Sequence, residues 1–288
     1  MRQPAVCVAL GVALWLGAST TAAADDGAPG LRWNPRWTRF TTGQFLLTGA
    51  MAGGLLATDQ LLHPSTSPRW RSGILLDRQA STLLGAESEP GRERASAVSD
   101  YLGMALVLYP FAIDSLLVAG LLHGSYDVAF QMAMIGLQGM LLAKLITGLT
   151  KDLVGRARPD AGGCQTGHEL ACATQNESFI SGHTSGAFAS AGLICAHHQN
   201  LRLYGSEAAG TIACGTSLGL ATTVGTLRMV AGRHHLSDVL AGAIVGLASG
   251  YLLPNLGNYD FGDSTEAPGT LVPIADNHTL GVGYLGHW

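Results

Sequence analysis

The chain is poor in charge. Asp, Glu, Lys and Arg make up 12% of its 288 residues, about half the share of an ordinary soluble domain. Their balance is a net charge of -4. No basic stripe stands out, which argues against nucleic acid as a partner, because phosphate backbones are met by clustered Lys and Arg. Repeats, heptads and low-complexity tracts are also missing, so solenoids and coiled coils are set aside. Metal-ligand spacing is lacking too: Cys195, His197 and His198 fall close together, but no further ligand follows at a sensible distance. The two histidines are expected to close the C-terminal end of a helix, where positive charge is favourable.

What the chain has is apolar and small. Hydrophobic residues reach 47% and Gly numbers 39, with a mean hydropathy of +0.26. Small residues let helices approach closely in lipid, so the composition points to membrane helices, with buried helices of a soluble bundle as the alternative. Residues 1–24 read as an export signal: Arg2, an apolar run from Ala5 to Ala18, and Ala22-Ala23-Ala24 before Asp25. An uncleaved first membrane helix is the competing reading. Losing Cys7 with the signal leaves Cys164, Cys172, Cys195 and Cys214, an even number that permits two disulfides in an exported chain. Cys195 and Cys214 are nearly equidistant from a turn, so they either face each other or remain buried thiols.

Hydrophobic patterning predicts six long helices, over residues 41–62, 99–122, 128–150, 182–197, 207–226 and 237–253. The second is interrupted by Pro110 and Asp114, and the short link after it makes its successor antiparallel. Residues 63–94 carry prolines and arginines and form a connector with a short amphipathic helix near 74–84. The segment 255–288 loses helical pattern, with one strand expected at 279–284. Asp59, Asp114 and Lys144 lie inside apolar helices, where helix-helix hydrogen bonding competes with a functional role. The expected fold is therefore all-α, a six-helix bundle embedded in a membrane.

Three polar clusters sit at helix ends. Lys151-x6-Arg158-Pro159 follows the third helix, Ser178-Phe-Ile-Ser181-Gly182-His183 precedes the fourth, and Arg228-x5-His234-x3-Asp238 joins the fifth to the sixth. Alternating helix directions bring all three to one end of the bundle. Lys151, Arg158 and Arg228 would then share one spot, which is costly unless an anion sits between them. The backbone amides of Ser181 and Gly182 at a helix start, with the Ser181 hydroxyl, add anion donors. Two histidines flank the anion, one able to attack phosphorus and the other to protonate the departing oxygen. A spacing of four puts His234 and Asp238 on one helix face, where the carboxylate can fix the imidazole tautomer. The neighbours Arg156, Arg233 and His235 are expected to face solvent.

In this order and spacing the three clusters resemble the type 2 phosphatidic acid phosphatase (PAP2) superfamily, which includes lipid phosphate phosphatases, bacterial acid phosphatases and vanadium haloperoxidases. The resemblance covers residues 98–254 as a catalytic core, leaving 25–97 as first helix and connector and 255–288 as a tail. It implies His234 as nucleophile forming a phosphohistidine, Asp238 as its orienting carboxylate and His183 as general acid and base. It further implies phosphate contacts from Lys151, Arg158, Ser181, Gly182 and Arg228, with no metal and no cofactor. Ile180 and Leu227 depart from the pattern, standing where the family usually has proline and serine. The implied substrate is a phosphomonoester or pyrophosphate of a lipid, or a small phosphoester. The implied setting is the bacterial inner membrane with the site facing the periplasm. A soluble periplasmic acid phosphatase is the alternative, and a haloperoxidase or an inactive membrane protein are remoter ones.

Overall fold

A computed structural model describes residues 30–62, 67–160, 175–259, 270–275 and 280–285. Local capping sets the helix starts. In α1 (Thr42–Leu61) the Thr41 hydroxyl accepts from the Gln44 amide at 3.2 Å while the Gln44 side chain takes the Thr41 amide at 2.9 Å, a reciprocal capping box. The short amphipathic helix appears as α2 (Asp77–Leu84). Helix α3 (Glu89–Tyr109) starts behind a Ser88 cap with proline in its first turn, well before the apolar run that hydropathy detects. Its expected break at Pro110 is instead a change of pitch: a π-helix continues over Pro110–Leu122, and the Pro110 carbonyl accepts the Ser115 hydroxyl at 2.7 Å.

Helix α4 (Tyr126–Val154) returns antiparallel and stops at Gly155, whose φ of 57° suits the left-handed cap that glycine adopts without strain. Then follow α5 (Gly182–Asn200), α6 (Glu207–Val230) and α7 (Leu236–Leu247), the last extended by π-helical turns at Ala248–Leu252 and Asn255–Tyr259. Ser181 and Ser206 cap α5 and α6. The strand expected near 279–284 is Leu280–Leu285 (β2), paired antiparallel with Thr270–Ala275 (β1), so a hairpin is added to an otherwise helical plan.

Helix α5 is the axis of the bundle, touching α3, α4, α6 and α7. Its Ala187, Ala189, Ala191 and Leu193 are fully buried. Helix α7 lies against it through Gly242, Gly246 and Gly250, one residue per turn on one face. A methyl at Gly246 would stand 2.5 Å from the Ser185 carbonyl oxygen, and one at Gly250 would stand 1.9 Å from that of Ala189. Backbone thus packs on backbone. The Cys195–Cys214 disulfide joins α5 to α6, resolving that pair, while Cys164, Cys172 and the side chain of Asp59 lie outside the described residues.

His197 and His198 do not cap the end of α5. His197 Nδ1 meets the Tyr259 hydroxyl at 2.7 Å and His198 Nε2 meets Asp114 Oδ1 at 3.3 Å, all buried. Asp114 also accepts from the Tyr204 hydroxyl, in the loop after α5, at 2.8 Å, so of the readings open for it a helix-helix hydrogen bond, to His198, is formed.

The outside of the bundle is apolar. Leu46, Leu47 and Leu56 on α1, Met104 and Leu108 on α3, Ile212 on α6 and Ile244 on α7 are all more than half exposed, an extent of outward apolar surface that marks a membrane or protein partner. By length and composition, three helices among the described residues could cross a membrane: Glu89–Leu122, Tyr126–Val154 and Leu236–Tyr259. Six were expected. The shortfall includes α5, whose small, buried residues serve packing rather than contact with lipid.

Gly250→Ala is expected to destabilise the bundle by at least about 1–3 kcal/mol, the usual cost of overpacking, because its methyl meets Ala189 backbone. Gly49→Ala, with nothing within 4 Å of the added methyl, should leave the thermal midpoint unchanged or slightly raised in the same assay.

Candidate active site

The loop that ends α4, the start of α5 and the α6–α7 junction meet at one end of the bundle, as the connectivity implies. Lys151 lies in the last turn of α4, and a methyl on Gly182 would stand 3.5 Å from its Nζ, so the ammonium rests against the first turn of α5. Arg228, near the end of α6, is 5% exposed. Arg158 follows the α4 cap, with its amide held by the Gln175 carbonyl at 2.8 Å. The buried Nε atoms of Arg158 and Arg228 have no hydrogen-bond partner among the described residues, which leaves strong donors for an anion.

Both histidines feel this charge. His234 is 2% exposed; burial, then Lys151, Arg228 and Arg158, push it well below the ordinary imidazole value, opposed by a hydrogen bond to Ser178. Its Nδ1–H donates to the Ser178 carbonyl at 2.8 Å, so the tautomer is set and Nε2 keeps its lone pair. His183, in the first turn of α5, is pushed down to about 4 by partial burial and then by Arg228, with Lys151 and Arg158 acting the same way and Asp100 opposing. Its Nε2 lies 2.9 Å from Asp100 Oδ1. That same oxygen accepts from Arg228 Nη1 at 2.8 Å, and Ser96 and Ser99 accept from Nη1 at 3.2 and 3.1 Å. Hydroxyls around this arginine therefore come from α3. Leu227 offers none.

Three expectations change. Helix α7 begins at Leu236, so His234 precedes it, and Asp238 Oδ2 is 3.9 Å from His234 Nδ1. Asp238 meets Ser178 instead, whose hydroxyl donates to Asp238 Oδ2 at 2.5 Å. Ser181 is fully buried, its amide donated to the Asp238 carbonyl at 3.2 Å and its hydroxyl shared with Thr184 at 2.8 Å. Its polar groups hold the fold, and the N–H groups of the α5 start without a hydrogen-bond partner among the described residues belong to Gly182 and His183. Finally, Arg156 does not face solvent. It is fully buried, bonded to Asp77 at 2.6 Å, to Ser237 at 2.7 Å and to Asp238. Its guanidinium also stacks 3.9 Å from the centroid of Trp70.

His235 is half-buried, its Nε2 3.3 Å from the Ala157 carbonyl and its amide capping α7 at Asp238 Oδ2 at 2.8 Å, while Arg233 reaches Asp160 at 3.7 Å. The motifs pointed to Ser178 as a neighbour without fixing its role. Asp100 shows in the sequence as an acid at the head of an apolar run. Asp77 has no such signal, since it stands among the polar residues of a short amphipathic helix in the connector.

The site is thus a cationic cage at one end of a helical bundle, with two histidines on its walls held by unlike acceptors. The PAP2 superfamily model matches residues 133–261, a little under half of the chain. A PA-phosphatase related-family protein of Dictyostelium discoideum is 31% identical over 134 residues, 44% of this chain and 49% of that protein. The chain thus spans about half the length of this curated relative. Two solved structures are similar at 17% identity. Aquifex aeolicus LpxE aligns over 62% of this chain and 93% of its own at a TM-score of 0.39. A transmembrane PAP2-type phosphatidylglycerolphosphate phosphatase from Bacillus subtilis aligns over 74% and 94% at 0.47.

Asp100 supports the charged form of His183, so Asp100→Asn should lower the His183 pKa further, and inorganic phosphate bound in the cage should raise it. Imidazole NMR titration of the purified protein with and without phosphate checks both signs.

Proposed function

We propose that this chain is a phosphatase that cleaves a phosphomonoester or pyrophosphate from a lipid through a phosphohistidine at His234. The observation that carries the reading is the cage itself: Lys151, Arg158 and Arg228 converge, two guanidinium Nε atoms lack partners among the described residues, and His183 and His234 stand beside them. Such a concentration of like charge is tolerable only with an anion in place, and a phosphoryl group uses every donor present.

In the proposed reaction His234 Nε2 attacks phosphorus while its Nδ1–H stays on the Ser178 carbonyl. The bond from phosphorus to the leaving oxygen breaks, and that oxygen takes a proton from His183. Charge developing on the equatorial oxygens is met by Lys151, Arg158, Arg228 and the N–H groups at the start of α5. A water then gives its proton to His183 and its oxygen to phosphorus, the P–N bond breaks, and phosphate leaves. Binding of the dianion raises the His183 pKa, so the substrate itself supports the acid that the first step needs.

Three helices of spanning length and an apolar exterior support a lipid substrate and a membrane setting. We place the site end on the periplasmic face of a bacterial inner membrane. A second reading, a soluble periplasmic acid phosphatase, is favoured by the Cys195–Cys214 disulfide. It sits about 18 Å along α5 from His183, counting 1.5 Å per residue, so an oxidising compartment would reach both ends of the molecule. Resistance to alkaline carbonate extraction is the result expected of the membrane form, and release into the supernatant would favour the soluble one.

His234→Ala should abolish phosphate release from every substrate tried while leaving the thermal midpoint in place. A screen of phosphatidic acid, phosphatidylglycerol phosphate, undecaprenyl pyrophosphate and an aryl phosphate measures the loss and ranks the substrates. Retained turnover in the variant would refute the nucleophile.

A further inference from the structure

The segment between α1 and α3 reaches into the site from outside all three motif clusters. Asp77, at the start of α2, is 1% exposed. Its Oδ1 accepts the Ser237 amide at 2.8 Å and its Oδ2 accepts the Ser237 hydroxyl at 2.9 Å, the Ile74 amide at 2.8 Å and Arg156 Nη2 at 2.6 Å. Burial works against this carboxylate, but the hydrogen bonds from Ile74, Ser237 and Arg156 outweigh it and hold its pKa below the ordinary value. Asp77 therefore holds the first turn of α7 from a different element, as a capping carboxylate would.

Arg156 continues the path. Its Nη1 donates to Ser237 Oγ and Asp238 Oδ1, and its backbone carbonyl accepts the Ser178 amide at 3.0 Å. Asp238 Oδ2 takes the Ser178 hydroxyl and the His235 amide. Ser178 is thus gripped at its amide by Arg156 and at its hydroxyl by Asp238, and its remaining polar group, the carbonyl, receives His234 Nδ1–H. Every member from Asp77 to His234 is buried. A buried network this densely hydrogen-bonded, with Arg156 Nε its one side-chain atom left without a partner among the described residues, holds its members in one arrangement.

We propose that Asp77 and Arg156 are positioning residues for His234, acting through Asp238 and Ser178 to aim the Nε2 lone pair at the cage. The proposal rests on the phosphatase reading for its kinetic consequence. Neither residue contacts the cage cations Lys151, Arg158 or Arg228 in the hydrogen bonds above, so their loss misdirects the nucleophile and leaves anion binding intact. Lysine cannot replace Arg156, because a single ammonium cannot span Asp77 and Asp238 as the planar fork does.

The test uses the full chain in detergent with an aryl phosphate as substrate and inorganic phosphate as inhibitor, comparing Asp77→Asn, Arg156→Lys and Ser237→Ala with the parent. A nucleophile displaced by about 1 Å costs on the order of 100-fold. The expected result is therefore a fall in kcat of about 10-fold to 100-fold for the first two, less for Ser237→Ala, with the inhibition constant of phosphate within about threefold of the parent. Folded variants that keep kcat within about twofold overturn the proposal, as does a loss of phosphate binding in parallel with kcat, since that marks general loosening of the cage. Ser237→Ala keeps all three charges and decides the matter by the same criteria if the charge variants do not fold. Should the parent itself release no phosphate from aryl or lipid substrates, the phosphatase reading fails. The positioning claim is then judged by imidazole nitrogen NMR: His234 locked with its proton on Nδ1 in the parent and exchanging between tautomers in Asp77→Asn sustains it, and an unchanged His234 spectrum overturns it.

Discussion

A guanidinium fully removed from water has to be met on nearly every side, and the surroundings of Arg156 show what that demands. Two carboxylates, a serine hydroxyl, a backbone carbonyl and an indole face are gathered around it, in the loop after α4, from the connector after α1 and the start of α7. Desolvating such a group is worthwhile only when the geometry is close to fully satisfied. That requirement ties together three segments far apart in the chain. The carboxylates that neutralise Arg156 also take the amides of His235 and Ser237. The charge cluster and the N-terminal cap of α7 are therefore one object, and the loop bearing His234 has little room to move.

The helical plan was legible because each long helix is a separate apolar run bounded by polar turns. Convergence of the motifs followed from helix direction alone. What hydropathy could not show were boundaries set by polar chemistry: the charged opening turns of α3 read as connector, and Pro110 read as a break although a wider helical pitch absorbs it. Lateral roles were harder still. Arg156 sits two residues from Arg158 and has the same side chain, yet one faces the cage and the other is sealed against Asp77. Nothing local to either residue distinguishes them, because the difference is made by a carboxylate in a distant connector helix.

The acceptor of His234 illustrates a second kind of opacity. A spacing of four made Asp238 the natural partner, and Asp238 is indeed beside the histidine, but the closer acceptor is a backbone carbonyl. Main-chain groups carry no residue code, so sequence patterns name the side chain that steadies a carbonyl rather than the carbonyl itself. Ser181 makes the same point from the donor side: its place before Gly-His suggested an anion contact, while burial commits it to the α5 cap and to Asp238.

The two histidines start from the same side chain and face the same three cations, so their roles have to be separated by what holds each ring. His234 gives its proton to a neutral carbonyl, which fixes a tautomer without strongly favouring the cation, and deep burial keeps the ring uncharged with a lone pair free. His183 stands against the Asp100 carboxylate and is 42% exposed at its side chain, so a cationic ring there is balanced and hydrated. With the cage empty the cations prevail and His183 also loses its proton readily; a phosphoryl dianion would offset those cations at both rings, and at His183 the Asp100 carboxylate acts in the same direction. In the reaction proposed above, unlike acceptors would thus turn one anion-binding event into a nucleophile on one wall and an acid on the other.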